Sequence, residues 1–566
     1  MSISAAPNLN VLTVKGQSDG TSDTANVNAA VSKLRSDGGG TIIFEGDVKI
    51  ESEVVINFSN VRLTGARGHR IIPAFSNDSD ESPRLGHNTA LFKFQPDSAS
   101  LGDTDSTTGL DYESTSSMPT TTSDLTLATG KGALLRVGEW ISVRSDKTSS
   151  RCYDTSGGTS AGTGKMGQAL KIGHIDGDTI TFANSLHRDI DVTTSLTVYR
   201  HNLLCNISVD SLVFENPDDH DISLIKMQGV MDSRLTDIWA RRTTDGIGGS
   251  GGVILASVFG VVIEGYKHDG VTDKTKTVSG TTKYAHQEYY GILVTGVSDV
   301  SIVDAEIFQT RHSISVGDSS YGDAVVRVRG GYFNNIGSTC IDTHRSGFLT
   351  LDGAVVECRQ RPSGDTKYDD NPKGVSFRSG ACEIANSKIR GNGGLVHFQG
   401  SECTIRNSDL FGDTGGTSPA IQMLSTVQPT SDNRVLSCTV HSAGRYAVDC
   451  RNSARTIIRN NEIYNISLDS SAGGQWSMLH MANSPSTAHA TDFQISDNLL
   501  RKSADVQTGT VKAALECDRN SAAPTIPGRF YNNDCRGYGT GDDGVDVGTN
   551  TRSDYVADAV SANVTD

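Results

Sequence analysis

The sequence predicts an all-β fold, a parallel β-helix preceded by a capping helix and interrupted by a small inserted β-domain. Three observations support this prediction: a repeated strand–bend–strand motif, a further strand before most copies of it, and a composition of 60 Gly but only 13 Pro in 566 residues. Gly suits tight turns, and scarce Pro leaves backbone N–H groups available for strand pairing. One repetitive architecture can therefore account for most of the chain.

The repeated motif is an apolar residue, any residue, then Asn, Asp or Gly, with another apolar residue three positions later. Its copies lie at residues 302–307, 328–333, 351–356, 384–389, 405–410, 458–463 and 495–500. Each copy predicts two short strands joined by a one-residue bend. The spacing between copies is irregular, which is typical of a parallel β-helix whose coils share their strands but vary in one set of loops.

Stacking of such coils would place like residues above one another. We therefore expect Asn386, Asn407 and Asn460 to occupy one bend, where left-handed backbone geometry suits Asn. The same stacking predicts an internal column of cysteines formed by Cys382, Cys403 and Cys438. Ten Cys without a CxxC pair or a zinc-type spacing indicate reduced, buried thiols and not a disulfide scaffold.

The N-terminal region contains one helical signal. Asp23 or Thr24 can cap a helix that ends at the glycines 38–40. Its apolar face would consist of Val27, Ala30, Val31 and Leu34.

Composition and strand patterns divide the chain into five predicted segments. These are an N-terminal cap over 1–75, a Ser/Thr-rich loop excursion over 76–130, an inserted small β-domain over 131–200, the parallel β-helix over 201–535 and a C-terminal tail over 536–566.

Charge and hydropathy exclude several classes of function. The chain has 66 acidic and 50 basic residues, a net charge of −16, which argues against general binding to nucleic acid or anionic membranes. The most apolar stretch, 251–265, is shorter than the ~20 residues of a spanning helix. Residues 1–7 lack the features of a secretory signal, so we expect neither membrane insertion nor export by the usual route.

No cofactor-binding motif is evident in the sequence. A phosphate loop and a nucleophile elbow are both missing, and no cofactor or catalytic metal is expected. The acidic segment 541–546 could hold a structural Ca²⁺, although it lacks the spaced ligand series of a dedicated loop.

The segment Gly16-Gln-Ser-Asp-Gly-Thr-Ser-Asp-Thr24 is followed by the predicted helix and by Gly38-Gly-Gly-Thr-Ile-Ile-Phe44. This first pattern resembles the start of bacteriophage tailspike depolymerases, which belong to the pectate-lyase-like β-helix superfamily. Ser18 and Ser22 interrupt the acidic pattern that is usual there, and Glu45 stands where Pro is common. The second, 137–144 with 172–182, is similar to the insert that many phage spikes carry before the main helix.

The resemblance implies a right-handed parallel β-helix with a glycan-binding groove. It also implies a homotrimer that binds and cleaves a bacterial surface polysaccharide, such as capsule, exopolysaccharide or O-antigen. Such a protein would be located on the virion tail, attached to the phage tail or to another tail protein, and made in the host cytoplasm.

The most distinctive polar residues lie on the strand before the third motif copy. Because Ile341 and Thr343 are expected to point inward, Asp342 and His344 should face the solvent groove about 7 Å apart. In the stacked register Ser315, Asp342, Ser376 and His397 form one exposed column. The next column contains Gly317, His344, Arg378 and Gln399.

The sequence Asp342-Thr-His344-Arg345 is also similar to the Asp-Pro-His motif of mannuronan C5-epimerases, in which the His abstracts the C5 proton of a uronate. This similarity implies that His344 acts as the base and that Asp342 orients His344 or the sugar. Arg378 or Arg345 would neutralise the uronate carboxylate and stabilise the enolate-like intermediate.

Further polar residues border the same coils and are candidate substrate contacts: Tyr290, Arg311, His312, His397 and Arg359. Residues 307–399 contain 11 Lys or Arg against 9 Asp or Glu, whereas the whole chain is strongly acidic. An acidic glycan is therefore better tolerated here than elsewhere on the protein.

Two alternatives to elimination remain open. Glycoside hydrolysis needs two carboxyl groups, about 5–5.5 Å apart for retention or roughly 6.5–9.5 Å for inversion. A hydrolase would pair Asp342 with Glu357 or Glu288. The other alternative is a spike or adhesin that binds the glycan without cleaving it.

Overall fold

The structure is a computed structural model that describes most of the chain. The described residues are 10–17, 21–66, 68–75, 89–97, 110–114, 118–154, 162–192, 196–215, 222–241, 251–270, 275–278, 281–284, 290–317, 322–336, 339–359, 373–392, 394–412, 418–424, 430–443, 445–466, 478–482, 492–501, 515–518, 528–535, 545–546 and 560–561. They form two compact units, one made of 1–148, 165–314 and 319–326, and the other of 149–164, 315–318 and 327–566.

The chain is a right-handed parallel β-helix, as the sequence predicted. Each coil contributes a strand to sheet 1, a strand to sheet 2 and, after a short bend, a strand to sheet 3. The strands pair in parallel with the strands of the coils before and after them, which satisfies the backbone N–H and C=O groups.

The first unit contains the N-terminal coils. Its sheet 1 strands are Val54–Ile56, Ala90–Phe94, Ser223–Gln228, Gly251–Ala256 and Tyr290–Thr295. Its sheet 2 strands are Val11–Lys15, Gly40–Glu45, Val61–Gly65, Leu204–Cys205, Ile207–Asp210, Val230–Met231, Arg234–Thr236, Phe259–Glu264 and Ser298–Val303. Its sheet 3 strands are Val48–Ile50, Arg70–Pro73, Val213–Glu215, Trp239–Arg241, Lys267–Asp269 and Glu306–Phe308. A hairpin of Thr275–Val278 and Thr281–Tyr284 lies outside these sheets.

The second unit contains the later coils. Its sheet 1 strands are Ile341–Thr343, Lys373–Phe377, Gly394–Phe398, Ile421–Leu424, Val448–Arg451, Leu479–Ala482, Leu515–Asp518 and Val545–Asp546. Its sheet 2 strands are Gly347–Asp352, Glu383–Ala385, Thr404–Arg406, Arg434–Leu436, Ile457–Arg459, Phe493–Ser496, Gly528–Tyr531 and Val560–Ser561. Its sheet 3 strands are Tyr332–Ile336, Val355–Arg359, Lys388–Gly391, Asp409–Gly412, Thr439–Ala443, Glu462–Ile466 and Leu499–Arg501. A short pair, Thr430–Ser431 with Ser453–Ala454, lies beside them.

Two further strands contain residues of both units. They are His312–Val316 in sheet 1 and Ala324–Arg329 in sheet 2.

An antiparallel sheet belongs mainly to the first unit. Its strands are Leu110–Ser114, Leu196–Arg200, Trp140–Asp154, Gly162–Asp176, Thr179–Phe182 and Asp124–Thr126, and a 3-10 turn, Gly132–Leu134, lies beside it. Within this unit Trp140 packs on Phe259 of sheet 2, with ring centroids 6.0 Å apart. The sheet therefore takes in two strands from 76–130, the segment expected to be a loop.

Two other segments differ from the sequence prediction. Ala90–Phe94, also within the expected loop excursion, is a buried strand of sheet 1 because its Phe92 and Phe94 fill the core. Val545–Asp546 and Val560–Ser561, in the expected tail, pair with the preceding strands of sheets 1 and 2. The remaining segment boundaries stay predictions.

The helix runs from Thr24 to Ser36 and buries Val27, Val31 and Leu34 of the predicted apolar face, whereas Ala30 is only partly buried. Asp23 precedes it, but its buried carboxylate accepts the N–H groups of Gln17 and Lys49 and makes no capping bond to the helix. No helix among the described residues is long and apolar enough to cross a membrane.

The one-residue bends are confirmed by the backbone. The third residue of every motif copy has a positive φ, from Asn407 at 49° to Gly353 at 70°. Asn386 additionally donates from Nδ2 to Asp352 Oδ1 of the preceding coil, at 2.7 Å. This left-handed conformation explains why Asn, Asp and Gly predominate at that position, although Ser437, with φ of 53°, occupies the same bend between Arg434–Leu436 and Thr439–Ala443.

The core consists of stacked columns of like residues. In sheet 2 of the second unit, one column contains Leu351, Ile384, Ile405, Val435, Ile458, Ile495 and Phe530, all fully buried. At the start of sheet 3 a second internal column is polar, with Asn461 donating to Asn498 and Asn498 to Asn533, each at 2.9 Å. Side-chain amides thus bond from coil to coil inside the helix.

The predicted cysteine column is only partly right. Cys382 and Cys403 stack at the start of sheet 2 as free, buried thiols. Cys438 instead lies at the start of sheet 3, where its N–H donates to Asn461 Oδ1. The bend between the two sheets separates it from the other thiols, so Cys438 belongs to the asparagine column.

Candidate active site

The candidate catalytic residues lie in sheet 1 of the second unit. Asp342 pairs in register with Ser376, and Ser376 pairs with His397, as the sequence predicted. The column continues through Gln422 and Asp449 to His480. One face of sheet 1 therefore carries a continuous run of polar residues.

The expected exposure of Asp342 is wrong, because its side chain is 0% exposed. His344 Nε2 lies 3.2 Å and Arg378 Nη2 lies 3.0 Å from Asp342 Oδ2, and these two side chains cover the carboxylate. Burial of a carboxylate is costly unless cations or hydrogen-bond donors compensate it. Asp342 is therefore placed to hold its two neighbours and not to contact a substrate.

His344 and Arg378 remain accessible, with side chains 20% and 22% exposed. The His344 N–H donates to Val316 O at 2.7 Å, and the Arg378 N–H donates to Thr343 Oγ1 at 3.1 Å. Hydrogen bonds to the neighbouring coils therefore fix the backbone positions of both residues. The expected second column, in which His344 and Arg378 are neighbours, agrees with their shared contact to Asp342.

The arrangement suits proton abstraction next to a carboxylate. His344 Nε2 lies 3.2 Å from Asp342 Oδ2, so in the tautomer with the proton on Nε2 the lone pair of the imidazole is on Nδ1, which can accept a proton. Arg378 has five N–H donors, so it can bind Asp342 and an anionic substrate group at the same time.

His397 is buried, although it was expected to be exposed. Its Nε2 lies 3.1 Å from the Leu424 carbonyl, to which it donates, and its Nδ1 accepts from Gln399 Nε2 at 3.2 Å. Burial, followed by the nearby charge of Lys373, lowers the pKa of His397 to about 3. The imidazole is therefore neutral at ordinary pH and is held by both ring nitrogens.

Glu357 lies on sheet 3 and is already engaged. It accepts hydrogen bonds from Tyr332 Oη at 2.7 Å and Asn334 Nδ2 at 3.1 Å, and Arg390 Nη1 lies 3.8 Å away. These contacts orient the carboxylate.

The remaining catalytic and substrate-binding candidates around these coils are Arg345, Arg359 and Glu288. Arg345 is half-buried in the turn that follows Asp342 and His344. Arg359 ends the strand Val355–Arg359. Glu288 lies outside the described residues.

Tyr290, Arg311 and His312 form a cluster of their own in the first unit. The Arg311 guanidinium lies 5.5 Å from the Tyr290 ring centroid, a cation–π distance, and the Tyr290 and His312 rings are 5.6 Å apart. An aromatic ring beside a cation can bind a sugar that has an anionic substituent.

The sequence did not single out a second cluster around Asp449. This carboxylate is also fully buried, and His480 Nδ1 and Arg451 Nε lie 2.8 and 2.9 Å from its Oδ1. The signal that could have found it is the register, because Asp449 and His480 follow Asp342 in the same polar column.

No group of His, Cys, Asp and Glu among the described residues could hold a metal ion. The segment proposed for structural Ca²⁺ falls mostly outside those residues, so that expectation stays a prediction.

Comparison with solved structures shows which known proteins share this fold. The chain superposes on the tailspike protein gp49 from Pseudomonas phage LKA1 with a TM-score of 0.54 and 14% identity, over 90% of this chain and 73% of that one. The tailspike gp61 of Pseudomonas phage phi297 gives the same TM-score and identity, over 96% and 76%. This chain therefore shares the parallel β-helix fold of these two tailspike proteins.

The likeness to these tailspikes concerns the fold, since the sequences have diverged to 14% identity. No protein-family profile matches the chain, and no curated protein matches its sequence.

Proposed function

We propose that this protein is a tailspike-like depolymerase that binds and cleaves a bacterial surface polysaccharide by β-elimination at a uronate. The observation that carries the proposal is the Asp342–His344–Arg378 cluster, a buried carboxylate that holds an accessible imidazole and an accessible guanidinium. The tailspike fold is the context in which this cluster is found.

The proposed reaction uses two accessible side chains and one buried side chain. His344 Nδ1 takes the C5 proton of the uronate, and the electrons of the C5–H bond form a C4–C5 double bond as the C4–O4 bond breaks. The leaving oxygen takes a proton from solvent or from His344. Arg378 neutralises the uronate carboxylate and the charge that develops on it, while Asp342 fixes the tautomer of His344. Arg345 is the alternative partner for the uronate.

The biological setting belongs to the same proposal. A tailspike-like protein would be a homotrimer on the virion tail, attached to the phage tail or another tail protein, and would act on the glycan of the host surface. The strongly acidic chain, with a net charge of −16, is consistent with a polysaccharide partner and not with nucleic acid.

Glycoside hydrolysis of the same polysaccharide is the second candidate. It would use Asp342 with Glu357 or Glu288. The burial of Asp342 beneath His344 and Arg378 favours elimination, because a hydrolytic carboxyl group must reach the glycosidic bond or an attacking water. A binding-only spike or adhesin is the third candidate.

The three candidates differ in the products they release. The protein would be incubated with capsule or lipopolysaccharide from a sensitive host, and new reducing ends and the ultraviolet absorbance of an unsaturated sugar would be followed together. Elimination gives both signals. New reducing ends without the absorbance would contradict elimination and support hydrolysis, whereas binding without either signal would support the adhesin.

A further inference from the structure

A second Asp–His–Arg cluster lies on the same polar column of sheet 1. Asp449 Oδ1 is 2.8 Å from His480 Nδ1 and 2.9 Å from Arg451 Nε, and Gln422 Nε2 is 3.5 Å from Asp449 Oδ2. The Tyr446 ring stacks on the imidazole with centroids 4.4 Å apart and an interplanar angle of 10°. Hydrogen bonds and ring stacking therefore fix the side chains around the buried carboxylate of Asp449.

The carboxylate of Asp449 is ionised at neutral pH. Burial by itself would raise the pKa of Asp449, but the hydrogen bond from His480 and the charge of Arg451 outweigh it and hold the pKa below its usual value. A permanent anion at this place fixes the Arg451 side chain through Nε.

The two clusters differ in what they present to solvent. In the Asp342 cluster the histidine and the arginine are both about equally exposed. Around Asp449 the His480 side chain is only 5% exposed and Arg451 is 41% exposed. An imidazole that is covered by Tyr446 and bound to Asp449 is poorly placed to exchange protons with a substrate, whereas the guanidinium is reachable.

We propose that Arg451, oriented by Asp449, forms a second glycan subsite that binds a carboxylate of an acidic polysaccharide. The guanidinium of Arg451 is held through Nε, is 41% exposed and has the planar shape that matches a carboxylate. This inference rests on the proposed function and deepens it, because it assigns the substrate to the acidic glycans and gives the sheet a binding role remote from the Asp342 cluster.

The separation of the clusters sets the length of glycan that can use both. Asp342 and Asp449 are joined by successive register pairs through Ser376, His397 and Gln422, which places them about 19 Å apart at ~4.8 Å per coil. Long chains can contact Arg451 while they are cleaved beside His344. Short oligosaccharides bound at His344 cannot reach Arg451.

The test compares Arg451→Gln with the wild-type protein on a polysaccharide from a sensitive host, intact and with its carboxyl groups chemically reduced. For Arg451→Gln on the long intact chain we expect KM to rise about tenfold and kcat to stay unchanged. This rise corresponds to the loss of one charge-assisted hydrogen bond. For the shortest cleavable oligosaccharides we expect no change. Arg451→Lys should give an intermediate KM, since it keeps the charge but not the planar fork.

The matched control is Arg459→Gln, which removes another exposed arginine bound to an aspartate, Asp497, on sheet 2. It should leave KM unchanged. Equal KM values for Arg451→Gln and wild type on the long intact chain would overturn the subsite. Equal binding of the intact and carboxyl-reduced chains by wild type would also overturn it.

Binding measured in a His344→Ala background separates this inference from the proposed function. Arg451-dependent binding of the intact chain, combined with no cleavage by the wild-type protein, would contradict the depolymerase and leave the subsite standing. Cleavage that does not depend on Arg451 at any chain length would contradict the subsite alone.

Discussion

At the scale of single residues, the proposed chemistry depends on the carboxylate of Asp342, which is buried and does not contact the substrate in the proposed reaction. Asp342 is buried beneath His344 and Arg378, so in the proposed reaction it orients them. The alternation of Ile341, Asp342 and Thr343 predicted the face of the strand on which Asp342 lies. It could not predict burial, because the covering side chain of Arg378 comes from the next coil.

Replacing Asp342 with Asn tests this positioning role. The variant keeps the shape of the side chain but loses the charge that holds Arg378 and fixes the His344 tautomer. We expect kcat for glycan cleavage to fall about 10²-fold or more, with a smaller change in KM. Initial rates over a range of glycan concentrations give both values.

The control for this substitution is Asp409→Asn, which changes an exposed acid on sheet 3. It should leave kcat unchanged. A kcat for Asp342→Asn equal to that of the wild type would show that Asp342 does not position the base.

His397 provides a pH-dependence prediction. Its pKa is about 3 in the folded protein and roughly 6.5 when unfolded. Between these values the unfolded chain binds the extra proton, so His397 lowers the stability by up to about 1.4 kcal/mol for each pH unit below 6.5. His397→Gln should therefore lose less stability on acidification.

The measurement is the unfolding midpoint of wild type and His397→Gln from pH 7 to pH 4. Some acid sensitivity should remain in the variant, because burial also lowers the pKa of His201 to about 3 and that of His268 to about 4. Parallel curves for the two proteins would mean that His397 does not titrate as described.

At the scale of elements, the bend between sheets 2 and 3 is the feature that the sequence predicts best. The motif works because only Gly, Asn and Asp adopt the left-handed conformation readily, and the bend residues have φ values near 50–70°. The position of Cys438 was predicted wrongly because the same pattern of apolar and small residues occurs on both sides of this bend.

Substitutions at Asn407 test the conformational argument. Asn407 is exposed and has φ of 49°. Asn407→Ala should reduce the free energy of unfolding by about 1–2 kcal/mol, whereas Asn407→Gly should change it little. If Ala and Gly gave the same midpoint of thermal unfolding, the bend would not depend on left-handed geometry.

At the scale of the whole molecule, the repeat predicted the β-helix but not all of its parts. Ala90–Phe94 and the strands at 545–546 and 560–561 were missed because they lie in segments rich in Ser, Thr, Gly and Asp, where a short apolar run gives little periodicity. The second cluster was missed for another reason. His480 and Asp449 are 31 residues apart and come together only through the register.

The proposed homotrimer is a prediction about the whole molecule. Sedimentation equilibrium of the full chain should give three times the chain mass of 60.1 kDa. A mass of one chain over the accessible concentration range would contradict the trimer without affecting the proposed reaction, whose candidate residues belong to one chain.

The central claim is that His344 is the base of a glycan-cleaving site. Its most direct test is the initial rate of polysaccharide cleavage by His344→Ala, with His174→Ala, which removes an exposed histidine of the antiparallel sheet, as the control. We predict that the first variant loses activity by about 10²–10⁴-fold, the usual contribution of a general base, while the control cleaves as the wild type does. Full activity of a folded His344→Ala protein would contradict the account.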